Sequence, residues 1–393
     1  MKSLGNFDCI VVGGGPVGAV AARSAARQGL KVLLAEKGET PTYSDRCTGI
    51  VSLRFVKEAE IDNAVVLREI RGGAIYAPNG KSVSIEAEET RALVIDRHLL
   101  NVKLLEMAQM AGVKFIPYSR VVGLDNRSVI IERKDANYQV KTKVVIGADG
   151  PKSKVAQWAK LPAPSQFFLG LQATVRHETE RPDFIEVYLD QDLAPGFFAW
   201  VVPAEEGIAR VGLATYHIKG ASSYLKKFLD KFNFKPLKIN AGLIPIGPRA
   251  KTIAEGVMVV GDAAAQAKPT SGGGLYTGIV AAKIAGQVAA DHIYNYHDLL
   301  KYEKGWREKF DRELSFGMSL RSLFIHLRNH ELNLIFSILD NNDILDIIKT
   351  YGDIDYPSLI IKALLQQPKE WWKVWKSLQN KLITIPHLLK PTI

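Results

Sequence analysis

Gly13, Gly15 and Gly18 stand in the spacing Gly-x-Gly-x-x-Gly, between an apolar run, Cys9-Ile10-Val11-Val12, and an alanine-rich stretch that reaches Gly29. A second apolar run, Val32-Leu33-Leu34-Ala35, ends at Glu36. The chemistry this suits is the binding of a pyrophosphate. One glycine permits the tight turn out of a strand, one lets the backbone come close to the phosphates, and one lets the following helix pack on the strand. The helix N-terminus offers unpaired N–H groups to the anion. Glu36 is placed to accept hydrogen bonds from a ribose. A dinucleotide site is therefore expected over residues 7–37; the motif leaves open whether it takes FAD or a nicotinamide dinucleotide.

Other residues repeat the pattern of an apolar strand ending in a glycine and an acid. Val144-Val145-Ile146-Gly147-Ala148-Asp149-Gly150 is one case, and Val257-Met258-Val259-Val260-Gly261-Asp262 is another. Both predict strand ends that face a ligand, with Asp149 and Asp262 in reach of it. Asp262 alone also reads as a helix N-cap. Gly272-Gly273-Gly274 precedes a small-residue helix expected from about Leu275 to Tyr294. Glycines there would admit a planar ring against the backbone, and the helix N-terminus would stabilise negative charge developing on it. Cys47 lies with Arg46 and Gly49 in a polar loop after the first strand–helix–strand unit, and Arg97 follows the short apolar run Val94-Ile95 at the start of a helix. His326 and His330 have the i, i+4 spacing of metal ligands, but no carboxylate joins them, so no metal is expected. No Ser-His-Asp or paired-carboxylate frame is apparent.

The elements that must hold these residues can be read along the chain. Residues 70–86 predict a hairpin about Pro78-Asn79-Gly80. Leu100, Leu104, Met107, Ala108 and Ala111 recur at helical spacing over 99–111. A small antiparallel meander follows, then the strand at 144–147. Residues 166–249 alternate as strands, with one helix expected at 222–232. From 298 onward the chain reads as helical. The fold class is thus α/β: a Rossmann-like nucleotide-binding domain, an inserted antiparallel β-sheet substrate domain and a C-terminal helical region. The expected boundaries are 1-69, 92-165 and 250-297 for the first, 70-91 and 166-249 for the second, and 298-393 for the third.

With 393 residues, 47% of them hydrophobic and 23% charged, the chain has the composition of a globular protein with a substantial core. Its net charge of +10 favours anionic partners. No compact Lys/Arg run reads as a nucleic-acid arm, so no nucleic acid is expected. Two cysteines, Cys9 and Cys47, form no Cys-x-x-Cys, which points to a reducing, cytoplasmic setting. No signal peptide is visible before the first strand, and no run of about 18 apolar residues predicts a membrane span.

Taken together, the three glycine-bearing strand ends resemble the FAD-binding domain of the flavoprotein hydroxylase and geranylgeranyl reductase superfamily. Two stretches resemble the geranylgeranyl reductases in particular. Asp45-Arg46-Cys47-Thr48-Gly49-Ile50 is similar to the cysteine–glycine loop that this family places against the flavin. Ala194-Pro195-Gly196-Phe197-Phe198-Ala199-Trp200-Val201-Val202-Pro203 resembles the family's Pro-x-x-Tyr-x-Trp-x-Phe-Pro motif, with Phe198 in place of Tyr and Val202 in place of Phe. The Phe198 substitution removes the hydroxyl but keeps an aromatic, apolar wall suited to a polyprenyl chain.

The resemblance implies FAD as cofactor, held by Gly13, Gly15, Gly18, Glu36, Arg46, Cys47, Gly49, Arg97, Asp149, Gly261, Asp262, Gly273 and Gly274. It places Cys47, Phe198 and Trp200 at the reacting centre. The implied reaction is saturation of isoprenoid double bonds in a lipid or prenyl diphosphate, by hydride transfer from reduced flavin. The proton donor stays open between Cys47 and water. Only one Gly-x-Gly-x-x-Gly is present, so electrons would come from an external donor: a ferredoxin-like protein, a nicotinamide or a deazaflavin. Two other readings fit the same residues: a flavin-dependent monooxygenase, and a lipid-binding flavoprotein that only carries electrons.

Near the carboxyl end, Trp371, Trp375, Leu378 and Leu382 would share one face of a helix, with Lys369, Lys373, Lys376 and Lys381 beside it. Tryptophan favours the water–lipid boundary and lysine the anionic headgroup, so this helix is expected to rest peripherally on the inner face of the membrane. Packing on the catalytic domain is the competing expectation. Replacing Trp371, Trp372 and Trp375 by Ala should reduce sedimentation with anionic liposomes; equal sedimentation of variant and parent would assign the helix to internal packing.

Overall fold

The protein was analysed as a computed structural model, which describes residues 2–39, 47–125, 128–339 and 341–366. Its centre is a six-stranded sheet in the order Ile253–Ala254, Val257–Val259, Val144–Gly147, Cys9–Val12, Val32–Ala35, Lys114–Ile116. All neighbours run parallel except the short edge strand Ile253–Ala254. Parallel strands are covered on both faces, which is why Cys9–Val12, Val32–Ala35 and Val144–Gly147 are continuous apolar runs with every residue but Gly147 a hydrophobe, and all of them buried. Helices Pro16–Arg27, Arg97–Met110 and Leu275–Asn295 cover one face. A four-stranded sheet covers the other through Val129, Ile131 and Val140. It contains the expected meander, Arg120–Asp125, Ser128–Glu132 and Asn137–Lys141, and one strand the sequence reading did not include. Lys2–Asn6 pairs in parallel with Asn137–Lys141, so the chain start is a strand of this outer sheet rather than a lead into Cys9–Val12.

The parallel register brings the strand ends together. Val12 pairs with Ala35 and Gly147, and Gly147 pairs with Val259. Gly13 to Gly18, Glu36, the Gly147–Gly150 turn and Gly261-Asp262 therefore emerge along one carboxyl edge, the position where open α/β sheets bind ligands. The two helices that start at this edge also pack closely. A β-carbon at Gly286 would lie 2.5 Å from Ser24 Cβ, and one at Gly278 would lie 2.7 Å from Val17 Cγ2.

The hairpin at 70–86 forms as Gly72–Tyr76 and Ser82–Glu86, with Gly80 at φ +84° in the turn. It joins a seven-stranded sheet in the order Pro236–Ile246, Gln166–Arg176, Ile208–Thr215, Ala199–Pro203, Phe184–Tyr188, Gly72–Tyr76, Ser82–Glu86. The sheet is antiparallel except where Phe184–Tyr188 meets Gly72–Tyr76 in parallel. Helix Ala221–Lys231 packs Leu225, Phe228 and Leu229 on one face, against Leu171, Ala173, Val211 and Leu213. Phe168 and Ala214 point the other way and pack with Phe197 and Ile246. Strands Ile50–Val51, Ala92–Ile95 and Val66–Ile70 make a further small sheet.

The C-terminal helices are Leu300–Phe324, Asn329–Leu339, Asn342–Tyr351 and Ser358–Gln366. The first buries Tyr302, Trp306, Phe310, Leu314, Gly317 and Arg321 at three- and four-residue spacing. Hydrogen bonds key it to the central sheet and the residue before its edge strand: Tyr302 Oη donates to Val259 O (2.6 Å), Trp306 Nε1 donates to Thr252 Oγ1 (3.0 Å), and Thr252 N donates to Glu303 Oε2 (3.0 Å). Among the described residues no helix is long and apolar enough to cross a membrane. The tryptophans at 371, 372 and 375 and their lysines lie outside the described residues.

Candidate active site

The first glycine cluster is shaped as its spacing predicts. Gly13 has φ +105°, and a β-carbon there would fall 2.4 Å from Ala148 O. At Gly18 it would fall 1.9 Å from Gly13 O, so the helix could not sit on the turn with any larger residue. Gly15 differs from both: a β-carbon on it meets nothing within 4 Å. Packing therefore does not require glycine at position 15, and the space beside it is open. Helix Pro16–Arg27 starts here with no side-chain cap and no acid in its first turn. Its N–H groups are left to an anion. Glu36 is held by two backbone amides, Gly14 N (2.7 Å) and Gly38 N (2.9 Å). A carboxylate has capacity for further donors beyond these two.

Asp149 is engaged by the chain itself. Its carboxylate accepts from Ser153 Oγ (2.5 Å), Lys154 N (2.7 Å) and Val155 N (3.1 Å), and so caps the short helix Lys154–Trp158. The strand-end pattern located Asp149 at the right edge, but the helix that follows uses its side chain. Asp262 shows the reverse. The one-turn helix Gly261–Ala264 has no side-chain cap, so the N-cap reading of Asp262 does not hold. Its Oδ1 lies 3.1 Å from where a β-carbon of Gly274 would be, at the start of helix Leu275–Asn295. That helix too has no side-chain cap and no acid in its first turn.

Arg97, Cys47 and Asp262 form one cluster. Arg97 is buried, and desolvation lowers its pKa, opposed by attraction to Cys47 and Asp262 and by a hydrogen bond to the Cys47 side chain. Asp262 retains some exposed area, yet the protein around it desolvates the carboxylate and pushes its pKa up to about 6; Arg97 limits the rise. Gly49 is at φ +83°, and a β-carbon there would be 2.6 Å from Arg210 Nη1 and 2.7 Å from Ile95 O. Arg210 Nη1 donates to Thr48 O (2.8 Å) and Ile95 O (3.1 Å), which fastens the Cys47 loop to the seven-stranded sheet. Arg46 lies outside the described residues.

Phe198 and Trp200 stand on the face of that sheet opposite helix Ala221–Lys231. Phe198 stacks on Phe197 at 4.5 Å between centroids and meets Trp200 edge-on at 6.0 Å. The Trp200 ring covers Gly212, where a β-carbon would be 2.7 Å from Cζ2. Trp200, Gly212, Gln172 and Asn240 are successive partners across four strands. They form a single rung, so their side chains share one face. Trp200 Nε1 and Asn240 Nδ2 are buried donors with no hydrogen-bond acceptor among the described residues. Gly272 brings the glycine loop to this wall: a β-carbon there would touch Ile244 and Phe197 at 3.3–3.4 Å.

Three cations that hold these pieces were not singled out from sequence. Arg321 donates to Pro269 O (2.9 and 2.8 Å), Thr270 O (2.7 Å) and Gly196 O (2.5 Å), joining the glycine loop to the aromatic stretch. Burial lowers its pKa to about 10. Its place in the buried series Tyr302, Trp306, Phe310, Leu314, Gly317 was a usable signal. Arg210 shares its strand face with Gly212 and Ala214, a pattern that also marked it as inward-facing. Lys268 lies beside Gly273, with Cε 3.3 Å from a β-carbon built there, and no periodicity distinguishes it.

The Asp262 shift has a testable sign. Its folded-state pKa of about 6 exceeds the ordinary 3.8, so the folded protein binds more protons between those values and loses stability as pH rises through that window. Asp262→Asn cannot ionise. In cofactor-free protein the gap between its melting temperature and the parent's should be constant below about pH 3.8, shift in the variant's favour from there to about pH 6, and stay constant above. A constant difference across pH 4 to 8 in thermal denaturation would show that the carboxylate is not desolvated.

Comparison with known proteins agrees with this architecture. The family model described as lycopene cyclase protein matches residues 8–342. The digeranylgeranylglycerophospholipid reductase of Methanosarcina acetivorans is 32% identical over 359 residues, covering 85% of this chain and 88% of that protein. A geranylgeranyl bacteriochlorophyll reductase-like structure from Thermoplasma acidophilum superposes with a TM-score of 0.82 at 27% identity, covering 95% of this chain and 99% of that one. A myxobacterial FAD-dependent chondrochloren halogenase superposes with a TM-score of 0.67 at 16% identity, covering 80% and 82%, and shares the fold. The chain belongs to the geranylgeranyl reductase family of oxidoreductases, within the range of sequences that the lycopene cyclase protein model matches.

Proposed function

We propose that this protein binds FAD and saturates the isoprenoid double bonds of a geranylgeranyl lipid. The observation that carries the reading is the meeting of the Cys47–Arg97–Asp262 cluster and the uncapped helix Leu275–Asn295 with an aromatic wall. Such a site pairs cofactor-binding groups with a surface for an apolar chain. The names of the relatives support the substrate: digeranylgeranylglycerophospholipid in one case, geranylgeranyl bacteriochlorophyll in another, and a polyisoprenoid again in lycopene. In this reading 1-69, 92-165 and 250-297 hold the cofactor, 70-91 and 166-249 face the substrate, and 298-393 form the helical region.

The residues present fit FAD. The open space at Gly15 and the N–H groups of helix Pro16–Arg27 suit a pyrophosphate, and Glu36 is fixed to accept from a ribose. Asp262 can accept from a ribityl hydroxyl, and Gly272, Gly273 and Gly274 admit a flat ring beside the helix N-terminus. Reduced FAD would supply the hydride to one alkene carbon. The protein's part is to orient the chain on Phe198 and Trp200, exclude water, and present an exchangeable proton. Arg97 holds the Cys47 thiol at this point, which makes Cys47 the proposed proton-bearing residue. Trp200 Nε1 and Asn240 Nδ2 could hydrogen-bond an oxygen of the lipid head. Each saturated bond takes up two electrons and two protons, and the electrons come from an external donor: a nicotinamide, a deazaflavin or a ferredoxin-like protein, the last suited by the net charge of +10.

A monooxygenase is the second reading, since a probable FAD-dependent monooxygenase from Pseudomonas aeruginosa has the same fold. Incubating chemically reduced protein with a geranylgeranyl lipid separates the two. Mass gains of two units per step without oxygen uptake are expected; gains of sixteen with oxygen uptake would establish the monooxygenase. Cys47→Ser should keep FAD and alter the rate or extent of saturation, and an unchanged product distribution would remove Cys47 from the reaction.

The two glycines distinguish cofactor binding from folding. Gly15→Val has room for its side chain in the cofactor-free protein, so it should fold and melt like the parent yet purify without FAD. Gly18→Ala should instead lose folded protein, because its methyl meets Gly13 O. Full FAD occupancy in Gly15→Val would place the pyrophosphate elsewhere.

A further inference from the structure

Lys268 and Asp355 form an ion pair whose side chains are 11% and 2% exposed. Lys268 Nζ donates to Asp355 Oδ1 (2.7 Å) and to Ile354 O (2.6 Å), while Asp355 Oδ2 is buried with no hydrogen-bond partner among the described residues. Burying such a pair costs desolvation of both charges, and its contribution to stability alone is small. Its position is informative. Lys268 N donates to Gly273 O (3.0 Å) and Gly272 N donates to Lys268 O (2.8 Å), so the lysine closes the glycine loop on itself. Its Nζ is 3.7 Å from where a β-carbon of Gly273 would be. The acid arrives from far along the chain, on a segment fastened around the same helix start. Asp353 pairs with Arg54 (2.6 Å), Tyr356 Oη and Tyr276 Oη are 3.3 Å apart, and Ser358 bonds to Glu313. The segment therefore delivers one negative charge to a loop that already has Lys268 beside it and Arg321 bound to its carbonyls.

We propose that the Lys268–Asp355 pair sets the reduction potential of the flavin, with Asp355 cancelling the charge of Lys268 at the glycine loop. This rests on the FAD reading above, in which the loop receives the flavin ring. A flavin gains negative charge when reduced, so an uncompensated cation beside it favours the reduced form and an uncompensated anion disfavours it. The paired charges keep the potential low, and a low potential suits donation of a hydride to an unactivated alkene. Both residues act through charge at a distance and are positioning residues.

The test is a spectroelectrochemical titration of FAD-loaded full-length protein. Asp355→Asn should shift the midpoint potential upward and Lys268→Met should shift it downward. Lys268→Arg, which keeps the charge, should stay near the parent. The double variant Lys268→Met with Asp355→Leu removes a neutral pair and leaves no buried lone charge, so it should fold even where a single variant does not. Its potential should also lie near the parent's. Unmoved potentials in both single variants, shifts in the same direction, or a double-variant shift as large as a single's would overturn the proposal. Parent protein that binds no FAD would instead sink the cofactor reading, and FAD content is measured first in the same samples.

Discussion

The site depends on one buried guanidinium. Arg321 reaches from helix Leu300–Phe324 to the carbonyls of Pro269, Thr270 and Gly196. Its guanidinium lies 4.1 Å from the Phe197 ring centroid. Main-chain oxygens and the rings of Phe168, Phe197 and Phe324 surround it, and desolvation lowers its pKa. Removing it would leave several carbonyls without donors in a dry place. What it secures is the spacing between two segments distant in sequence: the glycine loop before helix Leu275–Asn295, and the aromatic stretch of the seven-stranded sheet. A C-terminal helix thereby holds together surfaces built by the rest of the chain.

Charge around this junction is distributed rather than concentrated in a catalytic dyad. Arg97 is buried near Cys47 and Asp262, Arg210 fastens the Cys47 loop, and Lys268 is paired with Asp355. Most of these cations hold backbone oxygens or neighbouring side chains, and the wall they support is aromatic. That is the economy expected where a cofactor performs the chemistry and the protein supplies orientation, dryness and electrostatics. The raised pKa of Asp262 belongs to the same environment: a carboxylate desolvated by close packing and only partly compensated by Arg97.

Much of this was legible in the sequence because it is set locally. Gly13 has φ +105° in the turn and Gly18 sits on Gly13 O, constraints of turn geometry and helix–strand contact, while Gly15 leaves open space beside the helix start. The buried parallel strands declare themselves as unbroken apolar runs, the hairpin by Asn79-Gly80, and helix Arg97–Met110 by its spacing. The order of glycine-bearing strand ends even indicated that distant segments meet, since parallel strands must present their carboxyl ends along one edge.

Tertiary structure decided the partners. Asp149 and Asp262 look alike in sequence, each ending an apolar strand. The helix at 154–158 begins close enough to use the Asp149 carboxylate, whereas Asp262 is left beside Gly274 and Arg97. Lys2–Asn6 became a strand because Asn137–Lys141 offered an edge, a pairing no local pattern encodes. Arg210, Lys268 and Arg321 acquire their roles only from carbonyls and acids dozens to more than a hundred positions away. Local sequence dictates which backbone shapes are allowed, because sterics and periodicity act over one turn or one strand. It does not dictate which buried charge meets which distant oxygen, because that follows from how whole layers pack.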